Sequence, residues 1–332
     1  MHIPDGYLSP TTSIVMYAAS APFLAAASKQ VQKKLNRKSI PMLGVFGAFS
    51  FLIMMLNVPL PGGTTGHAVG SVLAAIVLGP WLSILSTTVA LIIQALFFGD
   101  GGILTLGANI FNMAIVMSLV GYGIFILLKK VLPKKNLEPV FAGIAGYIGI
   151  NVAAFLAGIE LGVQPLLFKS ATGQPLYFPY PLRISVPAMM IGHLTIAGLA
   201  EFFITTFAYV WIARQAPQLL QDGAQSKKTM LFRPLLIAIS AFIFLVPLGL
   251  LAPGTAWGEW DRVKLASLGL GYIPQGFDRW NNLWRAPIPG YNVLAFHNPF
   301  IAYILSALLG VALIIGIVMV ASILWHRLLK KI

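Results

Sequence analysis

The residues able to do a specific kind of chemistry are the opening stretch, Met1-His2-Ile3-Pro4-Asp5-Gly6-Tyr7-Leu8, and a lone histidine in Gly66-His67-Ala68-Val69-Gly70. A histidine at position 2 can chelate a metal with the help of the chain terminus alone. The α-amine of Met1 and the backbone nitrogen of His2 close a five-membered ring on the ion. The same backbone nitrogen and Nδ1 of His2 close a six-membered ring. Three nitrogens then lie in one plane, and the fourth corner is open to a histidine from elsewhere. His67 is the candidate for that corner. A square of four nitrogens suits Ni(II) or Cu(II), whereas Zn(II) prefers a tetrahedron. Such a chelate needs Met1 in place, and Met1 is expected to be retained because removal of an initiator normally requires a small second residue.

The elements that must position these groups are membrane helices. The chain is 58% hydrophobic and 9% charged, with a mean hydropathy of +0.85, which a soluble domain could not carry. Apolar stretches of roughly 17–25 residues recur along its length, each long enough to cross a bilayer. The expected fold is an all-α polytopic membrane protein with about nine transmembrane or membrane-embedded helices. The net charge of +13 does not point to nucleic acid, because the basic residues cluster in short loops between spans, as the positive-inside rule describes. The absence of cysteine excludes disulfides, thiolate metal sites and cysteine nucleophiles. No lysine or arginine precedes the first apolar run, so the start does not read as a signal peptide.

Spans are expected near 11–28, 41–57, 81–98, 108–128, 139–162, 185–211, 232–251 and 301–325. The run Lys29 to Lys38 is the most basic in the chain and marks the cytoplasmic side, which puts the N-terminus outside and the C-terminus inside. Of the 22 Lys and Arg residues, 16 fall in the inferred inner segments. The Pro/Gly loop Val58 to Gly66 then delivers His67 on the same side as the N-terminus. Residues 68–78 are too short to span comfortably and read as a half-depth helix turning at Gly79-Pro80. Residues 213–231 read as a cytoplasmic linker between a module at 1–212 and a two-helix module at 232–332 with a large outer loop.

Three blocks resemble a known family, the substrate-binding membrane subunits of energy-coupling-factor transporters for nickel and cobalt (NikM/CbiM). They are the opening ten residues, Gly63 to Trp81 around His67, and Gln94 to Ala114 with its Gly99-Asp100-Gly101-Gly102 turn. The resemblance covers about 1–212. The C-terminal part, with Pro247 to Trp260, looks like a fused accessory subunit (NikN/CbiN-like), although the Pro-Asp-Gly-Leu-Glu motif of that subunit is replaced by Gly-Thr-Ala-Trp-Gly-Glu-Trp. The resemblance implies Met1, His2 and His67 as metal ligands and Ni(II) as transported substrate, with Co(II) as the alternative. No organic cofactor is implied. Its implied partners are a transmembrane coupling subunit and two ABC ATPase subunits in a bacterial or archaeal plasma (inner) membrane. The Ile-Pro-Asp-Gly start resembles nickel members more than cobalt ones.

Gln94, Asn109, Asn112 and Ser9 are polar candidates for orienting the ligands. Asn109 and Asn112, three apart, would share a helix face. Asp5 is either an anchor for the terminus or an ordinary Pro-Asp-Gly turn residue, and Asp100 reads as a turn residue. His193 and Glu201 lie within an apolar span, where ionisable groups are functional suspects, and an interhelical hydrogen bond is the expected role. His297 reads as a surface histidine. The sequence contains no Gly-x-x-x-x-Gly-Lys-Ser/Thr loop, so ATP hydrolysis is expected in separate chains and this chain is not read as an enzyme. A self-sufficient proton-coupled transporter is the rival reading, and it would need an ionisable path beyond His193 and Glu201.

Overall fold

A computed structural model describes residues 1–34, 40–61, 64–222, 232–252, 254–293 and 296–329. Residues 223–231 of the 213–231 linker and the basic residues Arg37, Lys38, Lys227, Lys228, Lys330 and Lys331 lie outside this range. Six described helical segments are long and apolar enough to cross a membrane: Pro80–Phe98, Leu106–Val131, Lys135–Leu167, Leu182–Gln215, Arg233–Leu251 and Pro299–Ile323. The helix α1 (Pro10–Lys34) and the apolar α2 (Ile40–Met55) precede them. The fold is that of an all-α polytopic membrane protein, and its exposed large side chains, such as Ile191, Phe203, Phe207 and Phe244, suit lipid contact rather than water.

The 58–66 loop is not irregular. It forms a hairpin of β1 (Val58–Leu60) and β2 (Thr64–Gly66), paired antiparallel. The short helix α3 (Ser71–Leu78) follows and ends at Gly79, whose φ of +87° is open to glycine, before α4 starts on Pro80. The helix α4 (Pro80–Ile93) widens into a π turn at Gln94–Phe98. Two more spans contain the same device. The short α5 (Leu106–Asn109) passes through a π segment at Ile110–Val116 into α6 (Met117–Val131). After α7 (Glu138–Gly162) and the single turn α8 (Gln164–Leu167), α9 (Leu182–Gly192) passes through a π turn at His193–Ala197 into α10 (Gly198–Gln215). Such π insertions shift helix register and are frequent at functional sites. Here they fall on Gln94, Asn112 and His193.

The helix α7 is the hub, packing against α6, α9 and α10. The C-terminal part contributes α11 (Phe232–Leu245), two short helices, and a last span that packs on α2. Its short helices at Arg262–Ser267 and Gln275–Trp280 belong to the segment between those spans. That segment lies over the chain terminus. The φ of Gly6 is +90°, and a Cβ there would stand 2.9 Å from the Phe277 backbone. The Tyr7 hydroxyl donates to the Trp260 carbonyl at 2.8 Å, and the Tyr7 ring is fully buried against Phe178, Trp260 and Phe277. A Tyr7→Ala variant should therefore destabilise the folded chain by about 3–5 kcal/mol, seen as a lowered unfolding temperature in detergent, with far greater proteolysis of the first ten residues.

Candidate metal centre

The first five residues are held as a hook by backbone-directed polar contacts. Asn109 Oδ1 accepts from the Ile3 N–H at 2.8 Å, and Asn109 Nδ2 donates back to the Ile3 carbonyl at 3.2 Å. The same carbonyl accepts from the Gly102 N–H at 3.0 Å and from the Thr105 hydroxyl. Asp5 accepts from three consecutive amides, Ile103, Leu104 and Thr105. Asp5 is thus an anchor and not merely a turn residue. A Cβ on Gly102 would lie 2.0 Å from Asp5 Oδ1, so the Gly-Asp-Gly-Gly turn is glycine-rich because the hook lies directly on it.

This anchoring brings His2 to His67, with His2 Nδ1 and His67 Nε2 3.2 Å apart and both residues buried. Which ring nitrogen carries a proton follows from the outer partners. The Ala68 carbonyl, 3.0 Å from His67 Nδ1, can only accept, so that nitrogen bears hydrogen and Nε2 carries the lone pair. On the other ring, His2 Nε2 lies 3.2 Å from Gln94 Oε1. The Gln94 amide is oriented by its own neighbours: Nε2 donates to Asp100 Oδ2 at 3.3 Å and to the Tyr291 hydroxyl at 3.0 Å, while that hydroxyl donates to Asp100. Gln94 therefore offers oxygen to His2, and Nε2 of His2 bears hydrogen. Nδ1 of His2 faces the lone pair of His67 Nε2 on one side and Asp100 Oδ1, 3.2 Å away, on another. Such an arrangement is a place for a cation. Nδ1 of His2 is also the nitrogen that the six-membered chelate ring requires.

His67 is placed by a contact that sequence reading left as a generic interhelical bond. The Glu201 carboxylate, fully buried in α10, accepts from the Val69 N–H at 2.7 Å and from the Gly70 N–H at 3.1 Å. It thereby caps the start of α3 in place of a local side chain, at the end of the helix whose dipole favours an anion. Gly70 sits at φ +75°, with Phe49 where a Cβ would be. The two glycines around His67 thus accommodate this chain's own Leu60 and Phe49.

The Met1 amine lies 3.1 Å from Glu259 Oε1, in the segment between the last two spans. Glu259 and Tyr291, both from the C-terminal part, are site neighbours that sequence reading did not single out. Asp100 also belongs to the site. Ser9 and Asn112 do not. The Ser9 hydroxyl accepts from the Thr12 N–H and caps α1, while its own N–H donates to Gln164. Asn112 donates to Glu160 at 2.9 Å, away from Asn109's partner Ile3, because the π segment starting at Ile110 breaks the shared face expected from α-helical spacing. His297 is exposed. Among the described residues no group of three or more His, Cys, Asp or Glu side chains is arranged to hold a metal.

Residues 2–219 match the family described as cobalt uptake substrate-specific transmembrane region (CbiM). The chain belongs to this family. It is 45% identical over 331 residues, 95% of each chain, to the fused nickel transport protein NikMN of Rhodobacter capsulatus. It is 41% identical over 326 residues, 94% of each chain, to the probable fused nickel transport protein LarMN of Lactiplantibacillus plantarum. A solved structure described as a truncated transition metal transporter is 52% identical, with a TM-score of 0.62, over 64% of this chain and 99% of that one. The NikM/CbiM part is thus fused to an N-like module, and the chain is a nickel or cobalt transport component rather than an enzyme.

Two measurements follow from the positioning of His67. Glu201→Ala strands the Val69 and Gly70 amides, at about 1–3 kcal/mol each, and should weaken metal binding by about 10–100-fold; calorimetric titration with Ni(II) reads both this loss and any unfolding. Burial, the nearby terminal ammonium and the His2 ring hold the His67 imidazole well below its ordinary range. A base whose folded pKa is depressed stabilises the fold above its unfolded value, near 6.5, and that stability is lost as pH falls below it. The metal-free unfolding temperature should therefore fall between about pH 7 and pH 5, less steeply in His67→Gln.

Proposed function

We propose that this chain is the substrate-capture component of an energy-coupling-factor transporter and that its substrate is Ni(II). The observation that supports this most is the pair of facing ring nitrogens, Nδ1 of His2 and Nε2 of His67, 3.2 Å apart. A metal there completes its plane with the Met1 amine and the His2 amide nitrogen. The amine must leave Glu259 and lose a proton, the amide must lose one too, and the His67 imidazole enters already neutral. Binding should thus release protons near neutral pH.

Ion identity follows from the plane. Four nitrogens that include an ionised amide impose the square geometry that suits Ni(II) and Cu(II). The family description names cobalt, and cobalt uptake by the same mechanism is the second reading. We assign the outer face to the end of the bundle holding the hook, with the N-terminus outside and the C-terminus inside. Residues 1–212 form the capture module, 213–231 the cytoplasmic linker and 232–332 the accessory module. The membrane is the plasma (inner) membrane. With no P-loop in its sequence, the chain depends on a transmembrane coupling subunit and two ABC ATPases to drive release inward.

The test compares purified protein carrying the native start with protein whose Met1 amine is acetylated. Both keep His2 and His67, but acetylation removes the amine as a donor. Loss of Ni(II) affinity by more than about 100-fold, or roughly 3 kcal/mol, is expected, together with loss of the proton release. Equal binding by the two versions would exclude the chelate.

A further inference from the structure

The polar partners of His2 are fixed by a segment that the chain reaches last. The π turn at Gln94–Phe98 ends its span at Gly99, and the last carbonyls of a helix have no partner within it. Two of them are taken up from the C-terminal part. Trp284 Nε1 donates to the Leu96 carbonyl at 2.8 Å, and the Ile288 N–H donates to the Phe97 carbonyl at 3.0 Å. Three residues further on, Tyr291 lays its ring on Phe98, with centroids 4.8 Å apart and planes 21° apart. The Tyr291 carbonyl accepts from the Ser306 hydroxyl of the last span at 2.8 Å. Its backbone is left-handed, at φ +60°, a conformation that a non-glycine residue keeps only where its surroundings over-determine it. The C-terminal part is thus fastened to the turn that carries Gln94 and leads into Asp100.

This fastening delivers one hydroxyl. The Tyr291 hydroxyl donates to Asp100 Oδ2 at 2.5 Å, and Gln94 Nε2 donates to the same oxygen at 3.3 Å. The other carboxylate oxygen, Oδ1, is left facing His2 Nδ1 at 3.2 Å, on a side chain only 19% exposed. Charge balance gives this carboxylate a task. Ni(II) held by one ionised amide and three neutral nitrogens keeps a single net positive charge, and a charge in a buried site needs a partner. A carboxylate is also an oxygen ligand, however. If Oδ1 advanced onto the axis of the plane, the coordination number would rise and the square geometry that suits Ni(II) would be lost. Neutralising the ion without ligating it requires a carboxylate tethered through its other oxygen.

We propose that Asp100 is the outer counter-charge of the bound ion and that Tyr291 is the positioning residue that keeps it off the metal, which makes the C-terminal part a determinant of metal choice. This rests on the reading that the chain captures Ni(II) at the hook. Without the hydroxyl, the carboxylate moves in as an axial ligand. Without the carboxylate, the square stays intact but its charge is unbalanced.

The test is calorimetric titration of the full chain with Ni(II) and with Co(II), together with the visible absorption of the nickel-loaded protein. Tyr291→Phe keeps the ring on Phe98. It should lower the ratio of Ni(II) to Co(II) affinity by about tenfold and convert part of the square-planar nickel band to that of a paramagnetic, higher-coordinate ion. Asp100→Asn should weaken Ni(II) binding by about 10–100-fold and leave the square-planar band in place. In the Asp100→Asn background, Tyr291→Phe should change the affinity ratio by less than about twofold, because the two residues act as one unit. An unchanged ratio and band in Tyr291→Phe would overturn the inference. So would an equal loss of ratio in the Asp100→Asn background, which marks a packing role for the tyrosine. A changed band in Asp100→Asn marks a resident ligand and overturns it as well, as does unchanged Ni(II) affinity in that variant. Should Tyr291→Phe fail to fold, the band and affinity of Asp100→Asn decide alone. If the unmutated chain binds no Ni(II), the capture reading fails and this inference with it, an outcome distinct from normal binding by unaffected variants.

Discussion

Two imidazole nitrogens 3.2 Å apart in a buried site, with a carboxylate beside them, call for a positive charge between them. The surrounding structure is arranged to keep them so. Ala68 and Gln94 each engage the outer nitrogen of one ring, and Asp100 and Tyr291 fix the Gln94 amide that does so. On His67 the tautomer follows from the Ala68 carbonyl, which can only accept, and on His2 Nε2 faces the oxygen of an amide oriented by Asp100. This is how outer partners commonly orient metal-binding histidines.

The terminus itself contributes two of the four proposed donors, and a free terminus is ordinarily the least ordered part of a chain. Here the order is supplied from two directions. From below, Asn109, Thr105 and the amides that follow Gly102 bind the hook through its backbone and Asp5. From above, the C-terminal module covers it with Trp260 and Phe277 and offers Glu259 to the amine. Glu201 fixes the opposing wall by capping the helix after His67. The fused module is therefore structurally continuous with the site rather than an appendage.

The helical, membrane-spanning class was legible because hydropathy and the spacing of basic residues report directly on a bilayer. The pairing of His2 with His67 was legible because chelate-ring sizes depend only on covalent connectivity. What escaped sequence reading depends on tertiary approach. The π segment at Ile110 separates Asn109 from Asn112, and local spacing gives no warning of it. Tyr291 reaches the site from a backbone φ of +60°, unusual for a non-glycine residue, and Glu259 arrives from a segment more than 250 residues downstream. Asp100 looked like a turn residue and is one, but the turn also presents its carboxylate to His2.

The most direct test of the four-nitrogen plane is nickel K-edge X-ray absorption on the loaded full-length protein. A square-planar signature with nitrogen neighbours only, lost when the Met1 amine is acetylated, is the expected result. A six-coordinate spectrum, or one that acetylation leaves unchanged, would contradict a site built from the Met1 amine, the His2 amide and imidazole, and His67.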